Sequence, residues 1–253
     1  MSVFVLLALF FRACFCSTFP PLPTPHPTQS IVYASSQAEV VAGIADYTVI
    51  KLTAMISVEA EIAISNVAGL VIDGQSMYGF DGGDHHRCLS IKGVDSLMIK
   101  DLTLQNGQNI DGGCVRTDAS TVTFLRVTFS ACKATAGGVF ENNNNGGGLY
   151  LGTDGGGSSV FAYSCKFVNC EADYFGGAIR VYDNCNLELS DTTFDGNQAP
   201  LDDDVNVAVD NNANLLCIAS CSSAGEYMPH GCTEEVEIKS TRSCYHAHHP
   251  SEH

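Results

Sequence analysis

From residue 47 onward, apolar residues fall in short runs, with some alternation of apolar and polar positions, each run bounded by Gly, Asp or Asn. Such runs predict β-strands joined by tight turns. They align into units of two runs that lead to an apolar anchor. One unit starts at Cys88-Leu89-Ser90-Ile91, continues through Leu97-Met98-Ile99 and reaches Leu104. The next three end at Phe129, Phe167 and Phe194, so successive anchors lie 25, 38 and 27 residues apart. The long step holds Glu141-Asn142-Asn143-Asn144-Asn145-Gly146, a polar insertion expected to form a loop on one face. An earlier unit ends at Leu70-Val71-Ile72, and a later one runs from Val205-Asn206-Val207 to Leu215-Leu216. Upstream, apolar Ile31, Val32, Ala38, Val41 and Ile44 suggest a short helix at the start of the series.

Two motifs mark the units. A Gly-Gly pair precedes an apolar dipeptide at Gly112-Gly113-Cys114-Val115, Gly147-Gly148-Leu149-Tyr150 and Gly176-Gly177-Ala178-Ile179. A Phe is followed three residues later by Cys or Asn at Phe129/Cys132, Phe167/Cys170 and Phe194/Asn197. A repeat of this period signals stacked supersecondary units. Neither the leucine-rich frame nor a helical half-unit, as in ankyrin repeats, is present. A coil of short strands cannot bury its own interior, so coils stack in parallel and bury a continuous column of like residues. Phe129, Phe167 and Phe194 are expected in that column, with the double glycines at tight corners.

These residues resemble the right-handed parallel β-helix of the pectin-lyase-like class. The Gly-Gly-Ala-Ile and Phe-x-x-Asn segments are similar to the repeats of polymorphic outer-membrane proteins, a family of autotransported adhesins. Only Gly176 to Ile179 and Phe194 to Asn197 match both motifs in full, and the chain has no room for that family's membrane barrel. The resemblance implies an all-β, right-handed, single-stranded parallel β-helix over residues 31–222. It marks a fold more than an activity.

Composition adds a compartment. Residues 3–11 are an unbroken apolar run of signal-core length, and Cys14 and Cys16 sit at −3 and −1 for cleavage before Ser17. Residues 1–16 are therefore expected to be a signal peptide. Residues 17–30, with five prolines, form an extended leader. The expected location is extracellular or at the cell surface, with no membrane span.

Of twelve cysteines, ten follow the expected cleavage site, an even number that suggests disulfides. No Cys-x-x-Cys favours zinc. Cys132 and Cys170 hold equivalent positions in adjacent coils, about 4.8 Å apart, and are expected to pair. The alternative is two stacked free thiols. Cys88 with Cys114 is a weaker candidate pair. Cys217, Cys221, Cys232 and Cys244 lie where the repeat fades, and suit a stapled C-terminal cap. Residues 223–253 are read as that Cys- and His-containing cap and tail.

Candidate chemistry is sparse. A net charge of −16, with basic residues scattered singly, excludes a nucleic-acid partner. The resemblance to polygalacturonases would demand Asn-Thr-Asp, Asp-Asp, Gly-His-Gly and Arg-Ile-Lys segments. Only Asp-Asp occurs, within Asp202-Asp203-Asp204, which fits an exposed turn. Gly69-Leu70-Val71-Ile72-Asp73-Gly74 resembles a structural coil of those enzymes. Asp81-Gly82-Gly83-Asp84-His85-His86 reads as a solvated loop, and His246, His248, His249 and His253 as a tail. No metal or cofactor is expected, catalytic residues are not identifiable, and no Asn-x-Ser/Thr sequon exists. The chain has no Trp for sugar stacking, although nine Tyr could substitute. The expected function is a secreted, non-catalytic module that binds an extracellular glycan or protein surface. A divergent polysaccharide lyase or glycoside hydrolase acting on acidic glycans, and a structural subunit of an extracellular assembly, are the alternatives. Convergent ionisable side chains on one exposed face would separate the enzyme from the module.

Overall fold

The structure, a computed structural model, describes residues 29–135, 145–207, 213–218 and 237–239. The apolar runs form parallel strands that stack coil on coil into a parallel β-helix. A nine-stranded sheet runs from Ser30–Ala34 through Thr48–Leu52, Ala68–Asp73, Ser96–Lys100, Thr121–Leu125, Ser159–Tyr163 and Asn186–Ser190 to Asn214–Ile218. Glu237–Lys239 closes its far edge in antiparallel pairing with Asn214–Ile218. Ile62–Ser65, Leu89–Lys92, Val115–Asp118, Leu149–Gly152, Ile179–Val181 and Val205–Val207 form a second sheet, here the arginine sheet. Ile56–Ser57, Gly79–Asp81, Thr103–Gln105, Thr128–Ser130, Lys166–Val168 and Thr193–Asp195 form a third, the phenylalanine sheet. A three-stranded sheet of two-residue strands completes the wall.

Side-chain alternation builds the core. One interior column of the nine-stranded sheet is Ile50, Ile72, Ile99, Phe124, Ala162 and Leu189, all buried. Each large apolar side chain in such a column contributes about 1.5–3 kcal/mol by leaving water. The aromatic column forms as expected. Phe129 lies over Phe167 with ring centroids 4.4 Å apart, and Phe167 over Phe194 at 5.3 Å. Phe80 and Leu104 continue the column toward the N-terminus.

At the first coil the expectation needs correction. Ile31 and Val32 are in a strand, paired with Val49 and Ile50, and the helix is confined to Gln37–Gly43. β-Branched and aromatic residues at 31–33 favour the sheet. The helix begins where the Glu39 amide donates to Ser36 Oγ, while the Ser35 amide and hydroxyl donate to the Glu39 carboxylate. That exchange resembles a capping box shifted by one residue.

The glycine corners shift by one in the middle copy. Val115, Leu149 and Ile179 are in register, so the pair equivalent to Gly112-Gly113 is Gly146-Gly147, one residue earlier than the motif suggests. Gly112, Gly146 and Gly176 all have positive φ, and a Cβ on Gly113, Gly147 or Gly177 would collide with a carbonyl of the next coil. In the last described coil Asp202 takes the positive-φ position, at φ 59°. The triple aspartate is therefore a corner. Asp203 is exposed there, accepting from the Ala199 amide, and half-buried Asp204 accepts from Asn197 Nδ2.

The disulfide also differs from expectation. Cys114 joins Cys132, with Cα atoms 5.4 Å apart, while Cys170 and Cys88 are free and buried. The expected register is right: Lys133 faces Glu171, so Cys132 stacks on Cys170. In-register side chains of parallel strands point the same way, however. Their Cβ atoms stay about one strand spacing apart, beyond the ~3.5–4.5 Å that a disulfide requires. The same geometry keeps Cys88, stacked on Cys114, unbridged. Cys217 lies in Asn214–Ile218 but its side chain, with Cys221, Cys232 and Cys244, lies outside the described residues. So do the expected signal peptide, residues 17–28 of the leader, residues 141–144 of the insertion and the histidine tail.

One corner ion pair sets an acid limit. Arg126 Nε and Nη2 donate to the two oxygens of Asp101 at 2.6 and 2.9 Å. The Arg126 hydrogen bond holds the Asp101 carboxyl below its ordinary value, against the opposing effect of burial. A depressed folded pKa stabilises above the unfolded value of about 3.9, and the contribution is lost as pH falls through the folded value. Asp101→Asn should therefore flatten the decline in melting temperature below about pH 4. An acid limb identical to the wild type's would show that the pair contributes nothing.

Candidate functional site

The outer surface of the arginine sheet carries a cluster of paired charged side chains. Strand alternation sends Val115 and Thr117, Leu149 and Leu151, and Ile179 and Val181 inward, all fully buried. The intervening residues point outward in one register row: Ala63, Ser90, Arg116, Tyr150, Arg180 and Asn206.

Arg116 is the hub. Its Nε donates to Asp118 Oδ2 at 2.6 Å and its Nη2 to Asp154 Oδ2 at 2.8 Å, and Nη1 lies 3.5 Å from Asp111 Oδ2. The guanidinium sits 5.5 Å from the Tyr150 ring centroid. Burial opposes its charge, yet the three carboxylates outweigh burial and raise its pKa. Asp118 has room because the next coil carries glycine. A Cβ on Gly152 would stand 2.3 Å from Asp118 Oδ1. Beside this hub, buried Arg87 pairs with Glu61 and donates from Nε to the Gly112 carbonyl and from Nη2 to the Asp111 carbonyl. It thereby satisfies the carbonyls of the glycine corner. Burial lowers the Arg87 pKa, with Glu61 opposing that effect.

Arg180 differs. Its guanidinium lies 4.6 Å from the Phe175 ring centroid and 5.8 Å from that of Tyr182, and it forms no ion pair among the described residues. Burial lowers its pKa and raises that of neighbouring Tyr150. Tyr150 and Tyr182 lie 6.4 Å apart. The face thus combines fixed charge with aromatic surface.

Other sequence candidates lie apart from this face or serve the fold. Asp81 accepts from the Gly83 amide, Gln105 Nε2 and Asn106 Nδ2, which makes residues 81–86 a hydrogen-bonded turn. Among the described residues, no group of three or more His, Cys, Asp or Glu is placed to hold a metal ion. The free thiols of Cys88, Cys165 and Cys170 are pushed up to about 12 by burial, and that of Cys185 to about 11. Thiolate is the reactive form, and burial holds these four thiols in the protonated form within the core. Cys170 and Asn197 share one ladder position. Asn197 Oδ1 accepts from the Cys170 amide and its Nδ2 donates to the Phe167 carbonyl, while the Cys170 thiol faces the Phe129 carbonyl.

Sequence reasoning missed Arg87, Asp111, Arg116, Asp118, Tyr150 and Arg180. The signal was available in the aligned units: the residue after Val115, Leu149 and Ile179 is Arg, Tyr and Arg. Among the described residues, no helix is long and apolar enough to cross a membrane. In comparisons with known proteins, no family model and no curated protein matches the chain.

Proposed function

We propose that this chain is a secreted β-helix interaction module of pectin-lyase-like type, which binds an extracellular glycan or protein surface without catalysing a reaction. The observation that carries this reading is the outward row Arg116, Tyr150, Arg180 and Asn206, in which half-buried Arg116 adjoins a buried tyrosine, arginine and asparagine. The carboxylates around it are engaged. Asp111, Asp118 and Asp154 surround Arg116, and Glu61 pairs with Arg87. Each of these carboxylates has at least one oxygen within ion-pairing distance of a guanidinium, an arrangement unlike the pair of carboxyl groups flanking the bond that a glycosidic reaction uses. An arginine held over aromatic rings suits recognition. The apolar run at residues 3–11 and the similarity to adhesin repeats support an extracellular setting.

The test is a panel of acidic and neutral glycans and matrix proteins presented to the purified protein. Binding is read on the surface, and new reducing ends or unsaturated sugar in solution. Saturable binding without product is expected. Product release that disappears in Asp118→Asn would replace the module with a lyase or hydrolase, and silence across the whole panel would remove the binding reading.

A further inference from the structure

We propose that the N-terminal end of the β-helix is a self-association surface, where Ser30–Ala34 pairs in antiparallel fashion with the same strand of a second copy of this chain. This inference stands apart from the binding reading above.

The strand presents an open edge. Ser30–Ala34 is the first strand of the nine-stranded sheet, and among the described residues its only strand neighbour is Thr48–Leu52. The Thr53 amide donates to the Ala34 carbonyl, on the side of that neighbour. Successive residues of a strand direct their backbone groups to opposite sides, so Ile31 and Tyr33 direct N–H and C=O away from the sheet. Natural edges are blunted by charge, proline or a bulge. Ser-Ile-Val-Tyr-Ala has no charge and no proline, and it meets its neighbour in unbroken register. Its outward side chains, Ile31 and Tyr33, are 55% and 63% exposed.

The adjoining helix makes this end of the stack apolar. Val40 and Gly43 of Gln37–Gly43 are buried, and a Cβ on Gly43 would stand 3.2 Å from the side chains of Val32 and Ile50. Gln37 ties the helix to the coil beneath: its Nε2 donates to the Ala60 carbonyl, and its Oε1 accepts from the Glu59 amide. Ala38, Val41 and Ala42 share the opposite side of the helix and are exposed. From residue 30 to 45 the only charged side chain is Glu39, whose carboxylate is engaged by Ser35. In a chain of net charge −16, two copies can meet here with little repulsion.

Three observations select a second copy as the occupant. Head-to-tail stacking would need the far edge of Asn214–Ile218, which Glu237–Lys239 occupies. A closed assembly must then use the N-terminal edge twice, about a two-fold axis. The chain's own preceding segment is a poor ladder partner, because Pro20, Pro21, Pro23, Pro25 and Pro27 lack an N–H. The strand is also complementary to itself. An axis through Val32 sets Ile31 opposite the partner's Tyr33, so the outward backbone groups of both residues meet as hydrogen-bonded pairs. Their exposed β-branched and aromatic side chains then lie side by side, a favourable cross-strand pair.

Sedimentation equilibrium on the full chain from about 1 μM to about 1 mM, the span of moderate to weak affinities, should show monomer and dimer in exchange. Ile31→Lys should weaken dimerisation at least about tenfold, because the two-fold axis repeats the change. Tyr33→Pro should weaken it more than Tyr33→Ala, since proline removes an N–H that only the partner uses. Leu201→Lys, at a comparably exposed position in the last described coil, should leave it unchanged. Deuterium exchange of the Ile31 and Tyr33 amides should slow as concentration rises. Where Tyr33→Pro fails to fold, Ile31→Lys and the exchange data still decide. A monomer throughout the range, or a dimer that Ile31→Lys does not weaken, overturns the inference. Slow exchange of those amides in a monomer also overturns it, with the edge covered by the chain itself.

Discussion

Replacing Phe167 with alanine is expected to destabilise the protein by about 3–5 kcal/mol, the range for removing a fully buried aromatic side chain. Phe167 is the middle ring of the aromatic column. It stacks on Phe129 at 4.4 Å with the planes 6° apart, and on Phe194 at 5.3 Å with the planes 14° apart. Truncation leaves a hole between two rings that neighbouring coils cannot close, because their backbones are pinned by parallel pairing on both sides. It also strips packing from the glycine corner: a Cβ on Gly148 would stand 2.9 Å from Phe167 Cδ1, so that ring already fills the space beside the chain. Phe194 is only half-buried, and its alanine variant should lose less. Urea denaturation of the three single variants checks the order, with Phe129 and Phe167 costlier than Phe194. A loss under about 1 kcal/mol at Phe167, the scale of an ordinary substitution, would mean that the column does not carry the stack.

The aromatic column was legible because period-two alternation and a constant offset from the glycine pair both point to it. The first strands of the four central units were legible for the same reason, starting at Leu89, Val115, Leu149 and Ile179. What was less legible followed from local chemistry that a motif does not carry. Gly146-Gly147-Gly148 offers two Gly-Gly pairs, and only the pairing of Leu149 with Ile179 decides between them. The segment at 31–33 has spacing compatible with a helix, but its partner Thr48–Leu52 draws it into the sheet. The arginine face was hidden for a different reason. Arg116, Tyr150 and Arg180 are isolated polar or aromatic residues in the sequence, 34 and 30 positions apart. They become a row only once the coils are in register. The partners of Arg116 come from three separate places, Asp111, Asp118 and Asp154, and no linear motif contains them.

Removing the Cys114–Cys132 bridge should cost about 3 kcal/mol, the chain-entropy value for a loop of this size, given their separation of 18 residues. Stacking register alone pointed to Cys170, because equivalent residues of adjacent coils are close. Closeness is not sufficient, since the Cβ vectors of stacked residues run parallel. Cys114 precedes the first strand of a coil and Cys132 follows its third, so the bridge clips one coil shut across its own interior. Gly107 leaves the space it occupies: a Cβ there would lie 2.8 Å from Cys114 Sγ. Cys114→Ala with Cys132→Ala should therefore lower the melting temperature, while Cys170→Ala should act only through lost packing. Alkylation of the native protein followed by unreduced peptide mapping should recover Cys114 joined to Cys132. Cys88, Cys165, Cys170 and Cys185 should be labelled only after unfolding, because burial keeps their thiols protonated. Recovery of Cys132 joined to Cys170 would mean that the corner turns its side chain along the stack, toward the neighbouring coil. A double variant with unchanged stability would mean that pairing of the strands already closes the coil without the bridge.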